Sequence, residues 1–350
     1  MIKGHGNNIY SFGGKIRIDF SSNIAYNNKS DLLIEHLKNR LDLIKNYPDP
    51  EALELREALK KHHLNRADLG TVSIDEILVV NGSAEAFYLV ANFLSGKTCI
   101  FTPSFAEYED SCTLYEHNIQ YRSFGEFSST ESFSEFDSVW LGIPNNPNSY
   151  IVDIATVLKK CKLSPNCYFV VDLAYSSLCS QVMKSLALIE ERPSNLILIN
   201  SLTKSFGIPG IRLGYIVAHS DIIDRLSNMR PPWSVNALSL ELGKYVLGNY
   251  ESFMPNIAEL LKESLFLQNE ISSISGLKIT PSKTNFFLCE ITDHSLGNVC
   301  MLQDFLVEKY GILIRNCSNF RGLSGYHFRI AAQNHSENME LIKALREWTV

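Results

Sequence analysis

Short apolar, β-branched runs recur through the first two thirds of the chain, at residues 77–80, 98–101, 138–143, 168–171, 196–199 and 213–217, with amphipathic stretches between them. Runs this apolar, alternating with helical patterns, predict strands buried on both faces of a mostly parallel sheet. Residues 83–94 repeat apolar positions at helical spacing directly after one such run, with Ser83 and Glu85 placed to favour a helix start. Strand, glycine turn and helix therefore follow one another. From about Ser234 the pattern changes to long helical stretches at 237–247 and 257–274, followed by short strands near 285–290, 312–314 and 327–331. That predicts a second, α+β unit. The segment 125–137, rich in Ser, Glu and Phe, reads as an irregular loop. The expected fold class is α/β: a large domain over residues 31–234 with a mostly parallel sheet, and a smaller α+β domain assembled from residues 1–30 and 235–350.

Composition narrows the function classes. An apolar share of 45% over 350 residues fills a sizeable core, and a net charge of −6 without a basic stripe leaves no electrostatic footprint for nucleic acid or an anionic membrane. Any anion binding must be local. No apolar run reaches membrane-spanning length, and the polar start lacks the apolar stretch of a secretory signal, so a cytoplasmic protein is expected. The eight cysteines show no Cys-x-x-Cys spacing and read as reduced, mostly buried thiols. His62-His63 beside Lys60-Lys61 reads as the solvated end of a helix, and no ligand spacing suggests a metal.

The ends of the predicted strands carry the chemistry. Ligands of open α/β sheets collect beyond the carboxyl ends of strands. There the chain places Asn81-Gly82-Ser83-Ala84-Glu85, Pro144-Asn145-Asn146-Pro147, Asp172-Leu173-Ala174-Tyr175 and Ser201-Leu202-Thr203-Lys204, with Arg212 eight residues beyond the lysine. Singly, each is ordinary: a solvated lysine, a turn, a cap. Together they meet the needs of pyridoxal 5'-phosphate, which has a phosphate, a pyridine nitrogen, a phenolic oxygen and an aldehyde to be addressed separately. The helix start after Gly82 offers N–H groups and a positive dipole end to the phosphate, and Ser83, Ser201, Thr203 and Arg212 add donors. Asp172 is suited to hold the pyridine nitrogen protonated, Asn146 and Tyr175 to donate to the phenolic oxygen, and Lys204 to form the Schiff base.

This ordered set resembles the fold-type I (class I/II) aminotransferase superfamily over nearly the whole chain. The most specific segment is Ser201-Leu202-Thr203-Lys204 with Arg212, whereas the family's Asn-Pro-Thr-Gly stands here as Asn146-Pro147-Asn148-Ser149. The chain is more similar to the threonine-phosphate decarboxylase branch than to the histidinol-phosphate aminotransferase branch. The segments that carry this are His5-Gly6-Asn7-Asn8, Asp19-Phe20-Ser21-Ser22-Asn23, Tyr47-Pro48-Asp49-Pro50, Pro231-Pro232-Trp233-Ser234-Val235-Asn236 and 314–323, Ile-Arg-Asn-Cys-Ser-Asn-Phe-Arg-Gly-Leu.

The resemblance implies a PLP-dependent transferase-like fold and a homodimer in which Tyr47 reaches into the neighbouring copy's site. It implies cofactor contacts from the Ser83, Ala84 and Glu85 segment and a ring stacked on Tyr108, with Phe105 the alternative. For the substrate, a small phosphorylated amino acid, it implies Arg329 on the α-carboxylate and Arg315 on the phosphate, with His5, Gly6, Asn23 and Asn146 lining the same end; Arg321 receives no contact. The implied reaction is decarboxylation of L-threonine O-3-phosphate to (R)-1-aminopropan-2-ol O-phosphate for cobalamin biosynthesis. The alternatives are a histidinol-phosphate-type aminotransferase and, in another class, a non-catalytic PLP-binding module.

Overall fold

The computed structural model describes residues 8–27, 29–187, 189 and 191–350. After a two-residue strand, β1 (Ile18–Asp19), seven strands build one sheet: β2 (Ile77–Val80), β3 (Lys97–Thr102), β4 (Asn118–Ser123), β5 (Ser138–Gly142), β6 (Tyr168–Asp172), β7 (Leu196–Ser201) and β8 (Gly214–Val217). Their order is β2-β8-β7-β6-β5-β3-β4. All are parallel except β8, which runs antiparallel to both β7 and β2.

One reversed strand among seven fits the mostly parallel sheet expected from the sequence, and the reversal of β8 follows from its connection. A parallel return needs a crossover that passes over the sheet face, usually on a helix. Between β7 and β8 the chain makes only the 3₁₀ turn Pro209–Ile211 and doubles back, closed by the Leu202 N–H on Leu213 O at 3.3 Å. That return loop carries Lys204 and Arg212, so the topology places both at the carboxyl end of β7. Gly214 opens the returning strand in a tight spot: a Cβ there would lie 2.8 Å from Asn200 O and 2.9 Å from Ser83 N. Gly214→Ala is therefore expected to cost about 2 kcal/mol of stability, measured by calorimetry of the purified protein.

Two local readings are corrected. Within 125–137 the structure has a helix, Phe124–Ser129, opened by a reciprocal capping box in which the Ser123 N–H donates to Glu126 Oε2 at 2.7 Å. Phe124 and Phe127 turn inward, so the aromatic residues that made the segment look irregular are its buried face. His63 does not end a solvated helix. The helix Leu53–Arg66 buries it, with Nδ1 2.6 Å from Asp68 Oδ1 and Nε2 3.1 Å from the Tyr215 hydroxyl, because a left-handed residue at Ala67 folds Asp68 back beneath the ring. Burial, with His63 beside it, pushes the neighbouring His62 down to about 3.

The carboxyl-terminal part forms a four-stranded antiparallel sheet from β9 (Leu277–Ile279), β10 (Phe286–Ile291), β12 (Arg315–Asn316) and β13 (His327–Ala331), in the order β12-β13-β10-β9, while β11 (Ile312–Leu313) pairs in parallel with β1. Phe20, Phe287, Phe328 and Leu302 pack in one apolar cluster there. Backbone bonds from Phe20 N to Leu313 O at 2.8 Å and from Ala331 N to Phe20 O at 2.9 Å fasten the amino-terminal segment to this layer. Farther along, Ala25 N donates to Lys204 O at 3.0 Å. Asn23 is thus held beside the loop that follows β7. Seven of the eight cysteines are buried and unpaired, Cys300 being exposed. Among the described residues no helix is long and apolar enough to cross a membrane.

Candidate active site

The turns after β2, β5, β6 and β7 converge, together with the β12–β13 pair and residues 22–23, on a cavity of about 450 Å³. Of the residues singled out from sequence, Asn23, Ser83, Ala84, Asn146, Asp172, Tyr175, Ser201, Thr203, Lys204, Arg212, Arg315 and Arg329 all line it. Three others do not line it. Glu85 instead accepts the Asn81 N–H at 2.5 Å and so caps its own helix. Tyr108 is buried behind the wall, and Tyr47 is 82% exposed against Trp233. His5 and Gly6 lie outside the described residues. Phe320, quoted in a motif but given no role, contributes to the wall. Its place depends on a loop between strands, and no periodicity marks such residues.

One end of the cavity is built for an oxyanion. The helix Gly82–Phe93 begins one residue earlier than its sequence pattern suggests, with Gly82 at φ +75 and the Arg212 guanidinium packed so closely that a Cβ on Gly82 would lie 2.4 Å from Nη2. Only glycine accommodates both the left-handed backbone and that approach. The helix start, the Arg212 fork and the Ser201 and Thr203 hydroxyls, 2.8 Å apart, therefore face one small volume. Helix dipole, guanidinium and hydroxyl donors are a phosphate-binding set.

In the middle, Asp172 closes β6. Its Oδ1 accepts the Ala174 N–H at 2.9 Å and its Oδ2 accepts the Tyr108 O–H at 2.6 Å. Burial raises the carboxyl above its ordinary range, against the pull of the Tyr108 bond, the Ala174 N–H and the Lys204 charge. A cationic ring nitrogen facing it would restore the ionised form that burial disfavours. Lys204 is pushed down to about 8, first by burial and then by the charges of Arg212 and Arg329, with Asp172 opposing. Its amine is therefore about one tenth neutral at pH 7, far more than an ordinary lysine. Burial lifts Tyr175 to about 12, so its phenol stays protonated and able to donate.

The opposite wall is cationic. Antiparallel pairing of β12 with β13 sets Arg315 directly across from Arg329. Arg329 Nη2 donates to Ser21 O at 2.5 Å and Nη1 to Asn146 Oδ1, which leaves the Asn146 amide N–H groups as its donors into the site. Its Nε is a buried donor with no acceptor among the described residues. Burial pushes Arg315 down to about 10, still charged at neutral pH. Four cationic and two acidic side chains line the cavity of a chain whose net charge is −6, so the anion preference is local. The donor set, the close glycine and the orphaned Arg329 Nε fit a phosphorylated pyridine aldehyde with room beside it for an anionic substrate.

The family model described as aminotransferase class I and II matches residues 15–345. The chain is similar to the threonine-phosphate decarboxylase of Salmonella typhimurium, 29% identical over 94% of this chain and 90% of that protein. It is also similar to a histidinol-phosphate aminotransferase of Caldanaerobacter subterraneus subsp. tengcongensis, 31% identical over 93% of this chain and 94% of that one. The crystal structure of L-threonine-O-3-phosphate decarboxylase from Porphyromonas gingivalis superposes with a TM-score of 0.87 at 34% identity, covering 95% of this chain and 99% of the other.

Proposed function

Because the chain belongs to the class I and II aminotransferase family, we propose that it is a pyridoxal phosphate enzyme that decarboxylates L-threonine O-3-phosphate to (R)-1-aminopropan-2-ol O-phosphate for cobalamin biosynthesis in the cytoplasm. The observation that carries the reading is the presence of Arg212, Arg315 and Arg329 on one cavity. Cofactor phosphate, substrate phosphate and substrate carboxylate are three anions, and an arginine fork suits each.

When bound, pyridoxal phosphate supplies an aldehyde that joins amines and a ring that accepts the electron pair left when a bond at the substrate's α-carbon breaks. The chain's residues do the rest. Lys204 would hold the cofactor covalently, its lowered proton affinity keeping the amine nucleophilic, and once displaced it would deliver a proton to the α-carbon. Asp172 would keep the ring nitrogen charged, with Tyr108 fixing the carboxylate's direction. Arg329 would anchor the α-carboxylate, and since it occupies Asn146 Oδ1 it leaves the Asn146 amide N–H groups to donate to the cofactor's phenolic oxygen, so one residue would couple the placement of substrate and cofactor. Which α-bond breaks would depend on how the chain's residues orient the substrate against the cofactor. Anchoring both ends of the substrate, carboxylate at Arg329 and phosphate at Arg315, would restrict its rotation and so bias which bond breaks.

A homodimer belongs to the same proposal. Exposed apolar side chains including Leu32, Ile34, Leu41, Ile44, Tyr47 and Leu53 cluster in the amino-terminal part of the chain and suit burial against a second copy. The 31% identity to a histidinol-phosphate aminotransferase favours a second reading, transamination of a phosphate ester at the same site. One assay separates the two. Holo-protein given O-phospho-L-threonine should release carbon dioxide with no need for a 2-oxo acid. Amino transfer from histidinol phosphate to 2-oxoglutarate, without carbon dioxide from phosphothreonine, would overturn the decarboxylase.

A further inference from the structure

Three consecutive residues join the two sides of the cavity mouth. Asn319 Oδ1 accepts from Arg315 Nη2 at 2.8 Å, and the Phe320 ring, itself on the cavity wall, has the Arg315 guanidinium carbon 5.1 Å from its centre. Arg321 then reaches to the opposite side. Its Nε donates to Glu109 Oε2 at 3.0 Å and its Nη2 to Glu109 Oε1 at 2.5 Å, while its guanidinium carbon stands 3.9 Å from the centre of the Tyr121 ring. Glu109 belongs to the helix Ala106–Leu114, whose first turn supplies Ala106 and Glu107 to the cavity wall. The Glu109 carboxyl is held below its ordinary range, foremost by the bond from Arg321.

The segment between these contacts is pinned at both ends. At its start the Cys317 N–H donates to His327 O at 2.9 Å, and Cys317 packs with Leu288 and Phe320. At its far end the Arg321 side chain makes the crossing to Glu109. The Arg321 side chain is 47% exposed, and ion pairs this open contribute little to global stability. A two-pronged pair stacked on an aromatic face does fix direction, however. What it fixes here is the segment that holds Arg315.

We propose that Arg321 is a positioning residue: its clamp on Glu109 fixes Asn319 and Phe320, and through them sets the direction in which Arg315 meets the substrate's phosphate. The inference rests on the reading of Arg315 as the phosphate anchor. It makes the clamp a specificity device, felt by the phosphorylated amino acid and not by the same amino acid without its phosphate.

Arg321→Ala in the holoenzyme should raise KM for O-phospho-L-threonine about tenfold, the scale of one misdirected charge-assisted pair, with kcat within about twofold. The Kd of L-threonine, followed by cofactor absorbance, should not move. Arg321→Lys should recover only part of the loss, since an ammonium lacks the planar fork, and the exchange Arg321→Glu with Glu109→Arg should recover more. Amide hydrogen exchange over 317–323 should speed up in the alanine variant. Equal losses for phosphothreonine and threonine, or unchanged exchange, would overturn the clamp. If the wild type neither binds nor decarboxylates O-phospho-L-threonine, the functional reading fails instead, and the exchange measurement still decides whether Arg321 holds the segment.

Discussion

Lys204→Ala is expected to lower turnover at least ~10⁴-fold and to abolish the borohydride-reducible bond between chain and cofactor, because in the proposed reaction this one cavity-lining amine would serve as covalent anchor, nucleophile and proton carrier. Peptide mapping of the reduced wild type should place the pyridoxyl label on Lys204 and on no other lysine. The pH dependence carries the physical signature. The neutral amine is the species that adds to an aldehyde, and burial with Arg212 and Arg329 nearby brings its pKa down to about 8. Reconstitution of apo-protein with cofactor should therefore accelerate as pH rises through about 8 and then level off. A rate still climbing toward the ordinary lysine range above pH 10 would show that the amine titrates as if in water.

The second large effect concerns Asp172. Asp172→Ala should reduce kcat by about 10³-fold, roughly 4 kcal/mol of transition-state stabilisation, because it removes the charge that would keep the ring nitrogen protonated and leaves the Tyr108 hydroxyl without its acceptor. Tyr108→Phe removes only the second of these. It should cost about tenfold and shift the visible spectrum of the holo-protein with pH, since a neutral hydrogen bond to a buried carboxylate is worth one to a few kcal/mol. Equal losses for the two variants would show that Tyr108 does more than orient the carboxylate. Steady-state kinetics on both, with cofactor occupancy measured by absorbance, decides this.

The strand-end motifs were legible because local chemistry writes them. A buried strand needs an apolar run, a tight turn into a helix needs glycine, and the residue that closes a strand in such a sheet faces the ligand crevice, so Gly82, Asp172 and Lys204 announce themselves by type and order. Strand β4 was not legible for the converse reason. It is an edge strand without a buried residue, Asn118 and Gln120 being exposed and Arg122 half-buried, paired among the described residues with β3, and its polar composition resembles a loop. The helix at Phe124–Ser129 did carry a signature, Ser123 followed three residues later by Glu126, hidden among aromatic residues whose inward face appears only against the sheet.

The order of elements, the local anion preference and the choice of Lys204 as the proposed reactive amine are written in the chain, since each depends on residues near one another in sequence. Tertiary structure alone decided which long-range partners meet. Arg315 and Arg329 face each other because β12 and β13 pair antiparallel in one register, and Tyr108 reaches Asp172 across 64 positions of chain. Such contacts are set by how sheets and loops close in space, where packing and register act between residues that share no local pattern.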